Sequence, residues 1–150
     1  MDDIDLKILR VLQKEHGLPI NEIGERVGLS HTPCWRRIKK MEELGIIRNR
    51  AVILDANLLD LGVTVFVFVR LKQHHEEALI GFERAVLDFK EIVQCYSMTG
   101  EFDYLIRVVT TGVSSYEDFV KNKLLHLPDV AFVNSSFALQ EVKNTTELPI

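Results

Sequence analysis

Two short amphipathic segments joined by Gly28-Leu29-Ser30 constrain the first third of this chain more tightly than any other feature. The first places Ile20, Ile23 and Val27 on one side, and the second places Cys34, Ile38 and Met41 on one side. Steps of three, four and seven residues return to the same face of a 3.6-residue helix, so each segment carries one stripe to bury. Two stripes so close in the chain share one core, and the pattern predicts a helix-turn-helix between Pro19 and Ile47. Ser30 is the expected N-cap of the second helix, and Pro33 sits in its first turn, where an N–H has no partner to lose. Gly45 is the expected stop before Ile46-Ile47 leads toward a strand.

Opposite the buried stripe, the second helix carries Thr32, Arg36, Lys39 and Lys40. The overall formal charge is −4, yet the charge is unevenly spread. Residues 1–50 hold 10 Lys+Arg against 8 Asp+Glu, whereas residues 51–150 hold 8 against 14. A local basic patch on one helix displaces counterions from DNA, and an acidic remainder limits nonspecific binding. Arg37 lies nearer the buried stripe than Arg36, which leaves it between a DNA contact and a carboxylate pair. Trp35 is expected to pack between helices.

Around this pair the chain reads in two modules. A helix from near Asp3, with Ile4, Ile8 and Leu12 on one face, ends by Gly17 and completes a three-helix unit over residues 1–50. Arg48–Leu54 reads as a strand, a wing or linker, and runs into a connecting stretch of residues 51–61. Over residues 62–150 the periodicity alternates: strand Val63–Leu71, helix Glu76–Val86, strands Ile92–Thr99 and Phe102–Thr110 about Gly100-Glu101, then a helix and strand Val130–Leu139. That last helix is expected to be capped by Ser114 or Ser115 and stopped at Pro128. The fold class is therefore α+β, a winged helix-turn-helix followed by a ferredoxin-like βαββαβ domain.

The first strand of that domain is apolar on both faces, with Val63, Val65, Val67, Val69 and Leu71 on one and Phe66 and Phe68 on the other. Two helices cover only one face of a four-stranded sheet, so the pattern predicts a homodimer through the other. No apolar run of signal-peptide type follows Met1-Asp2-Asp3, and the longest apolar stretch is too short to span a bilayer. A cytoplasmic protein without membrane contact is expected. Cys34 and Cys95 show no metal or redox spacing and read as reduced core residues. Adjacent His74 and His75 suit a solvated loop better than a metal site. No catalytic arrangement, metal or cofactor is expected.

Particular motifs resemble the Lrp/AsnC family of feast/famine transcription regulators along essentially the whole chain. Asp5-Leu6-Lys7-Ile8-Leu9, Gly28-Leu29-Ser30, Thr32-Pro33-Cys34-Trp35-Arg36-Arg37-Ile38 and Leu44-Gly45-Ile46-Ile47 look like that family's DNA-binding half. Thr99-Gly100-Glu101-Phe102-Asp103-Tyr104-Leu105 and Leu127-Pro128-Asp129-Val130 are similar to its regulatory half. The resemblance implies a nucleoid-associated homodimer that binds a pseudo-palindromic operator in double-stranded DNA, assembles to higher oligomers such as an octamer, and controls amino-acid metabolism or transport genes.

By the same resemblance, Ser30, His31, Thr32, Pro33, Arg36, Arg37, Lys39 and Lys40 would meet bases or phosphates. An amino-acid effector would sit between regulatory domains near Met98, Gly100, Asp103 and Tyr104, with Ser135, Ser136, Phe137 and Ala138 bordering it. The chemistry agrees, because Asp103 can accept from an ammonium while backbone N–H groups around Gly100 and a serine hydroxyl can meet a carboxylate. Enzymes of the same architecture include sirohaem decarboxylases, so architecture alone does not decide function. The basic helix favours a regulator.

Overall fold

Asp2 starts the first helix, α1 (Asp3–Lys14), through a reciprocal capping box: Asp2 Oδ1 accepts from the Asp5 N–H and Asp5 Oδ2 from the Asp2 N–H, each at 2.9 Å. In the computed structural model, which describes residues 1–15 and 17–150, two further helices complete the unit, α2 (Ile20–Val27) and α3 (His31–Glu43). Ile8, Leu9, Ile23, Cys34, Ile38 and Met41 form its buried core.

Glycines set the turn between α2 and α3. Gly28 takes φ 73°, which lets the Leu29 N–H reach back to the Gly24 carbonyl at 2.8 Å. Gly24 is needed for a different reason, since a Cβ there would lie 2.5 Å from the Leu29 carbonyl oxygen. At the other end, Gly45 closes α3 at φ 70°, with the Ile46 N–H donating to the Met41 carbonyl at 2.9 Å. Ser30 occupies the N-cap position as expected, but its hydroxyl makes no capping bond.

Two expectations about this region are corrected, and the compact units divide at other positions than the expected domains. Arg48–Leu54 forms no strand, because an extended segment needs a paired neighbour and none of the described residues supplies one; Val52, Ile53 and Leu54 are exposed. Trp35 is 42% exposed rather than packed between helices, one helical step of about 100° away from buried Cys34. The final segment, Val142–Ile150, groups with the helical unit Met1–Val52, which leaves Ile53–Glu141 as the second unit in place of residues 62–150. Its anchor is polar: the Leu148 N–H donates to Gln13 Oε1 at 2.7 Å, and Arg10 Nε donates to the Ile150 carbonyl at 2.9 Å.

The second unit contains β1 (Val63–Leu71), α4 (Glu76–Asp88), β2 (Ile92–Ser97), β3 (Tyr104–Thr110), α5 (Val113–Asn122) and β4 (Val130–Phe137). The strands order as β2-β3-β1-β4 and every pair is antiparallel, which is the ferredoxin-like topology. Val65, Val67, Val69, Ile106 and Val108 pack with Phe82, Val86, Tyr116 and Phe119 on the helix side. Complete burial of a side chain such as Phe82 contributes roughly 1.5–3 kcal/mol.

Details differ from the sequence expectation where local bonds intervene. α5 ends at Asn122, and a short 3-10 turn at Leu124–His126 carries buried Leu124 before Pro128. Gly112 is its N-cap; Ser115 serves that cap from inside the helix, its Oγ accepting from the Gly112 N–H at 2.9 Å. Cys95 is exposed, because β2 is an edge strand, whereas Cys34 is buried as expected. The other sheet face is open and apolar: Phe68 meets Phe102 at 5.3 Å between ring centroids, and Phe102 meets Phe132 at 6.3 Å.

Candidate nucleic-acid interface and effector turn

The burial of Cys34, Ile38 and Met41 dictates what α3 presents to solvent. His31, Thr32, Pro33, Arg36, Lys39 and Lys40 are all exposed, and Ser30 is exposed at the helix N-terminus. Among the described residues, Arg36 and Lys40 have no ion-pair partner. Lys39 donates instead to Glu42 at 2.7 Å, and Glu42 also meets Arg50 at 3.2 Å. The Lys39 bond, with help from Arg50, holds the Glu42 carboxyl below its ordinary range.

Arg37 does not belong with the free cations. Its Nη1 donates to Asp2 Oδ2 at 2.7 Å and to Asp5 Oδ1 at 2.8 Å, so it ties the recognition helix to the start of α1. Backbone N–H bonds, first, and Arg37, second, hold both carboxyls below their ordinary range. The two carboxylates in turn push the guanidinium further up. Its Nη1 is committed to two carboxylates, which favours a structural role over the phosphate or base contact that the resemblance assigns to it.

In the second unit, the residues expected at an effector site fall into two groups. Met98, Gly100 and Asp103 share the turn between β2 and β3, where the Met98 N–H donates to the Asp103 carbonyl at 2.8 Å and Gly100 takes φ 117°. Asp103 is held firmly, because its Oδ2 accepts from the Leu71 N–H at 2.7 Å and its Oδ1 lies 2.9 Å from His74 Nε2. Ser135, Ser136, Phe137 and the following Ala138 lie on or beside β4, with β3 and β1 between them and β2. Three strand spacings amount to about 14 Å, so one chain does not bring the groups together.

Side-chain alternation refines both groups. Tyr104 is corrected from a pocket residue to a core residue: it is 2% exposed, its ring lies 4.5 Å from that of Phe82, and its hydroxyl donates to Glu83 Oε1 at 2.8 Å. Burial pushes the phenol up and Glu83 pushes it further, so it remains a donor. Ser135 and Ser136 cannot share a site, because neighbours on a strand face opposite ways. Ser135 meets the Tyr116 hydroxyl on the helix side, where Phe137 also packs edge-on to the Tyr116 ring at 5.3 Å; Ser136 is paired with Phe66 on the open side.

Sequence reasoning placed both histidines in a solvated loop, where they are, but did not foresee their bonds. His75 is the N-cap of α4, with Nδ1 accepting from the Ala78 N–H at 3.1 Å, and His74 partners Asp103. A signal was present for His75, which stands immediately before Glu76-Glu77 at the start of an apolar helical stripe. The His74 contact crosses from the segment after β1 to the β2–β3 turn and has no local signature.

An exposed basic helix after a tight glycine turn, on a three-helix unit joined to a ferredoxin-like unit, defines a two-module DNA-binding protein. Comparison with known proteins makes the class specific. The chain belongs to the Lrp/AsnC family of DNA-binding transcriptional regulators: residues 64–148 match its ligand binding domain, and residues 1–48 match a winged helix-turn-helix DNA-binding domain. The chain is 37% identical over 150 residues to the DNA-binding transcriptional activator DecR of Escherichia coli K12, covering 100% of this chain and 99% of that protein.

Solved structures agree. An AsnC family transcriptional regulator from Agrobacterium tumefaciens superposes with a TM-score of 0.93 at 45% identity, covering 99% of this chain and 97% of the other. A complex of the regulator NMB0573 from Neisseria meningitidis with L-Met superposes with a TM-score of 0.94 at 38% identity, covering 99% and 96%. Among the described residues, no helix is long and apolar enough to cross a membrane.

Proposed function

We propose that this chain reads a pseudo-palindromic operator in double-stranded DNA as a homodimer, under the control of an amino-acid effector, and thereby regulates genes of amino-acid metabolism or transport. The observation that carries the DNA half is the unpaired, exposed Arg36 and Lys40 on α3, beside the exposed N-terminal residues His31, Thr32 and Pro33. Side chains at a helix N-terminus reach base edges, while the two cations meet phosphates. Arg37 is assigned to the α1–α3 clamp. Selection of bound fragments from sheared genomic DNA, followed by footprinting, tests this reading. A protected two-fold site is expected; equal retention of all fragments would leave only sequence-independent binding.

The dimer is supported by the sheet face opposite α4 and α5, which carries Phe66, Phe68, Phe102 and Phe132. Burying such a face in a second copy is the simplest way to remove it from water, and higher assemblies such as an octamer would build on that dimer. Phe66→Asp places a charge there and should yield a monomer by sedimentation velocity.

The effector is assigned to the β2–β3 turn, with Asp103 as acceptor for the ammonium and backbone N–H groups near Gly100 for the carboxylate. A similar protein was solved with L-Met, which supports an amino acid as the ligand class. The wide separation of the turn from Ser136 within one chain favours a site completed by another copy. Thermal-shift measurements across an amino-acid panel test it, since a ligand specific to the folded state raises Tm. The protein acts as a regulator rather than an enzyme, in the cytoplasm and on the nucleoid.

A further inference from the structure

Each oxygen of Asp103 accepts from one partner, and the two partners differ in kind. Oδ2 accepts from the Leu71 backbone N–H at 2.7 Å, a bond between the turn and the end of β1 that fixes the carboxylate in the fold. Oδ1 faces His74 Nε2 at 2.9 Å. The Asp103 side chain is 19% exposed, whereas that of His74 is 63% exposed. One partner is thus part of the sheet, and the other is an exposed side chain on the segment between β1 and α4.

An ammonium and an imidazole ask the same thing of that oxygen: each is a hydrogen-bond donor, and each is favoured by negative charge. An arriving amino acid therefore meets a carboxylate whose outward oxygen already accepts one donor, and an ammonium making the same approach must compete with it. We propose that His74 gates the effector site by competing with the ligand's ammonium for Asp103 Oδ1, and that binding requires the imidazole to move aside into solvent. This inference rests on the assignment of Asp103 to the effector site. It goes further by placing control of affinity on a residue of the β1–α4 segment, outside the turn that holds the ligand.

Exposure makes the exchange cheap for the protein. Releasing His74 leaves no buried polar atom, because its ring is mostly in water and Asp103 keeps its bond to Leu71. Neighbouring His75 cannot substitute, since its Nδ1 is committed to the Ala78 N–H at the start of α4. An ammonium donates to a carboxylate more strongly than an imidazole N–H does, so lysine at this position should compete more strongly than histidine.

The test is calorimetric titration of the full-length protein and its variants with L-methionine, L-leucine and L-glutamate as probes. His74→Ala removes the competitor and should tighten binding several-fold, while His74→Lys installs a stronger one and should weaken it. Changes of opposite sign at one exposed position separate competition from a structural role, in which both substitutions would act alike. Asp103→Asn and Glu101→Gln test the underlying assignment. Loss of binding in Asp103→Asn alone supports the site; given that result, unchanged affinity in both His74 variants of the otherwise wild-type protein overturns the gate. Retained binding in Asp103→Asn, loss in Glu101→Gln, or no binding of any probe by wild type and His74→Ala overturns the site and the gate with it.

Discussion

Arg37 Nη1 lies 2.7 Å from Asp2 Oδ2, joining α3 to the capping residue of α1, 35 positions earlier in the chain. The same nitrogen reaches Asp5, so the bond is made to both members of the α1 capping box. A cation on the basic helix is in this way used inside the unit, and its neighbour Arg36 is left for a partner. Salt dependence distinguishes the two roles. Each phosphate neutralised contributes about 0.9 to the slope of log affinity against log salt. Arg36→Ala should lower that slope by about one contact. Arg37→Ala should leave the slope unchanged while lowering the Tm of the protein. Anisotropy titrations with an operator fragment at several salt concentrations provide the measurement, and a reduced slope in Arg37→Ala would return it to the DNA interface.

The same clamp predicts sensitivity to acid. Asp2 and Asp5 both have folded-state values below the ordinary 3.8, held down first by the backbone N–H bonds of the capping box and then by Arg37. A carboxyl whose folded value is depressed contributes stability in full above its unfolded value and loses it as pH falls through the folded one. Wild type should therefore lose stability as pH drops below about 4. Asp5→Asn together with Arg37→Ala should be less stable at neutral pH and show a shallower loss in that window. Urea unfolding followed between pH 3 and pH 6 gives the comparison.

Two glycines in helices make opposite predictions from the same chemical change. At Gly24 a Cβ would stand 2.5 Å from the Leu29 carbonyl oxygen, which belongs to backbone and cannot swing away. Gly24→Ala must separate α2 from the turn, at a cost on the order of 1–3 kcal/mol, and should weaken DNA binding by re-aiming α3. At Gly81, within α4, nothing lies within 4 Å of an added Cβ. Gly81→Ala should stabilise the protein by about 0.5–1 kcal/mol, because alanine loses less backbone entropy in a helix. Both values come from denaturant midpoints at constant m.

These results show which parts of the molecule a linear pattern can reveal. The stripe Cys34, Ile38 and Met41 is periodic and amphipathic, so it fixed α3 and its exposed cations from sequence. The need for glycine at 24 was invisible, because it arises from the carbonyl of Leu29 folding back over the helix. Arg48–Leu54 has strand composition, yet composition does not supply a pairing strand. Family resemblance located the β2–β3 turn but not which way its side chains point. There the alternation was informative: Arg107 marks the open face, Leu105 shares its parity, and Tyr104 falls with Ile106 and Val108 on the buried side.

That parity yields a test of where the effector turn ends and the core begins. The Tyr104 ring is packed against Phe82 and its hydroxyl donates to Glu83, so its polar atom faces α4 and not the turn. Tyr104→Phe keeps the ring and removes one hydrogen bond, which should cost about 1 kcal/mol. Its amino-acid affinity should match wild type, because the hydroxyl has no path to a ligand held by Asp103. Asp103→Asn should show the reverse pattern, a large loss of affinity. It should also lose some stability, since a neutral amide is a weaker acceptor for the Leu71 N–H than a carboxylate is. Thermal unfolding and calorimetric titration on the same preparations separate the two effects. A Tyr104→Phe protein that folds normally yet fails to bind would place the phenol in the effector site after all.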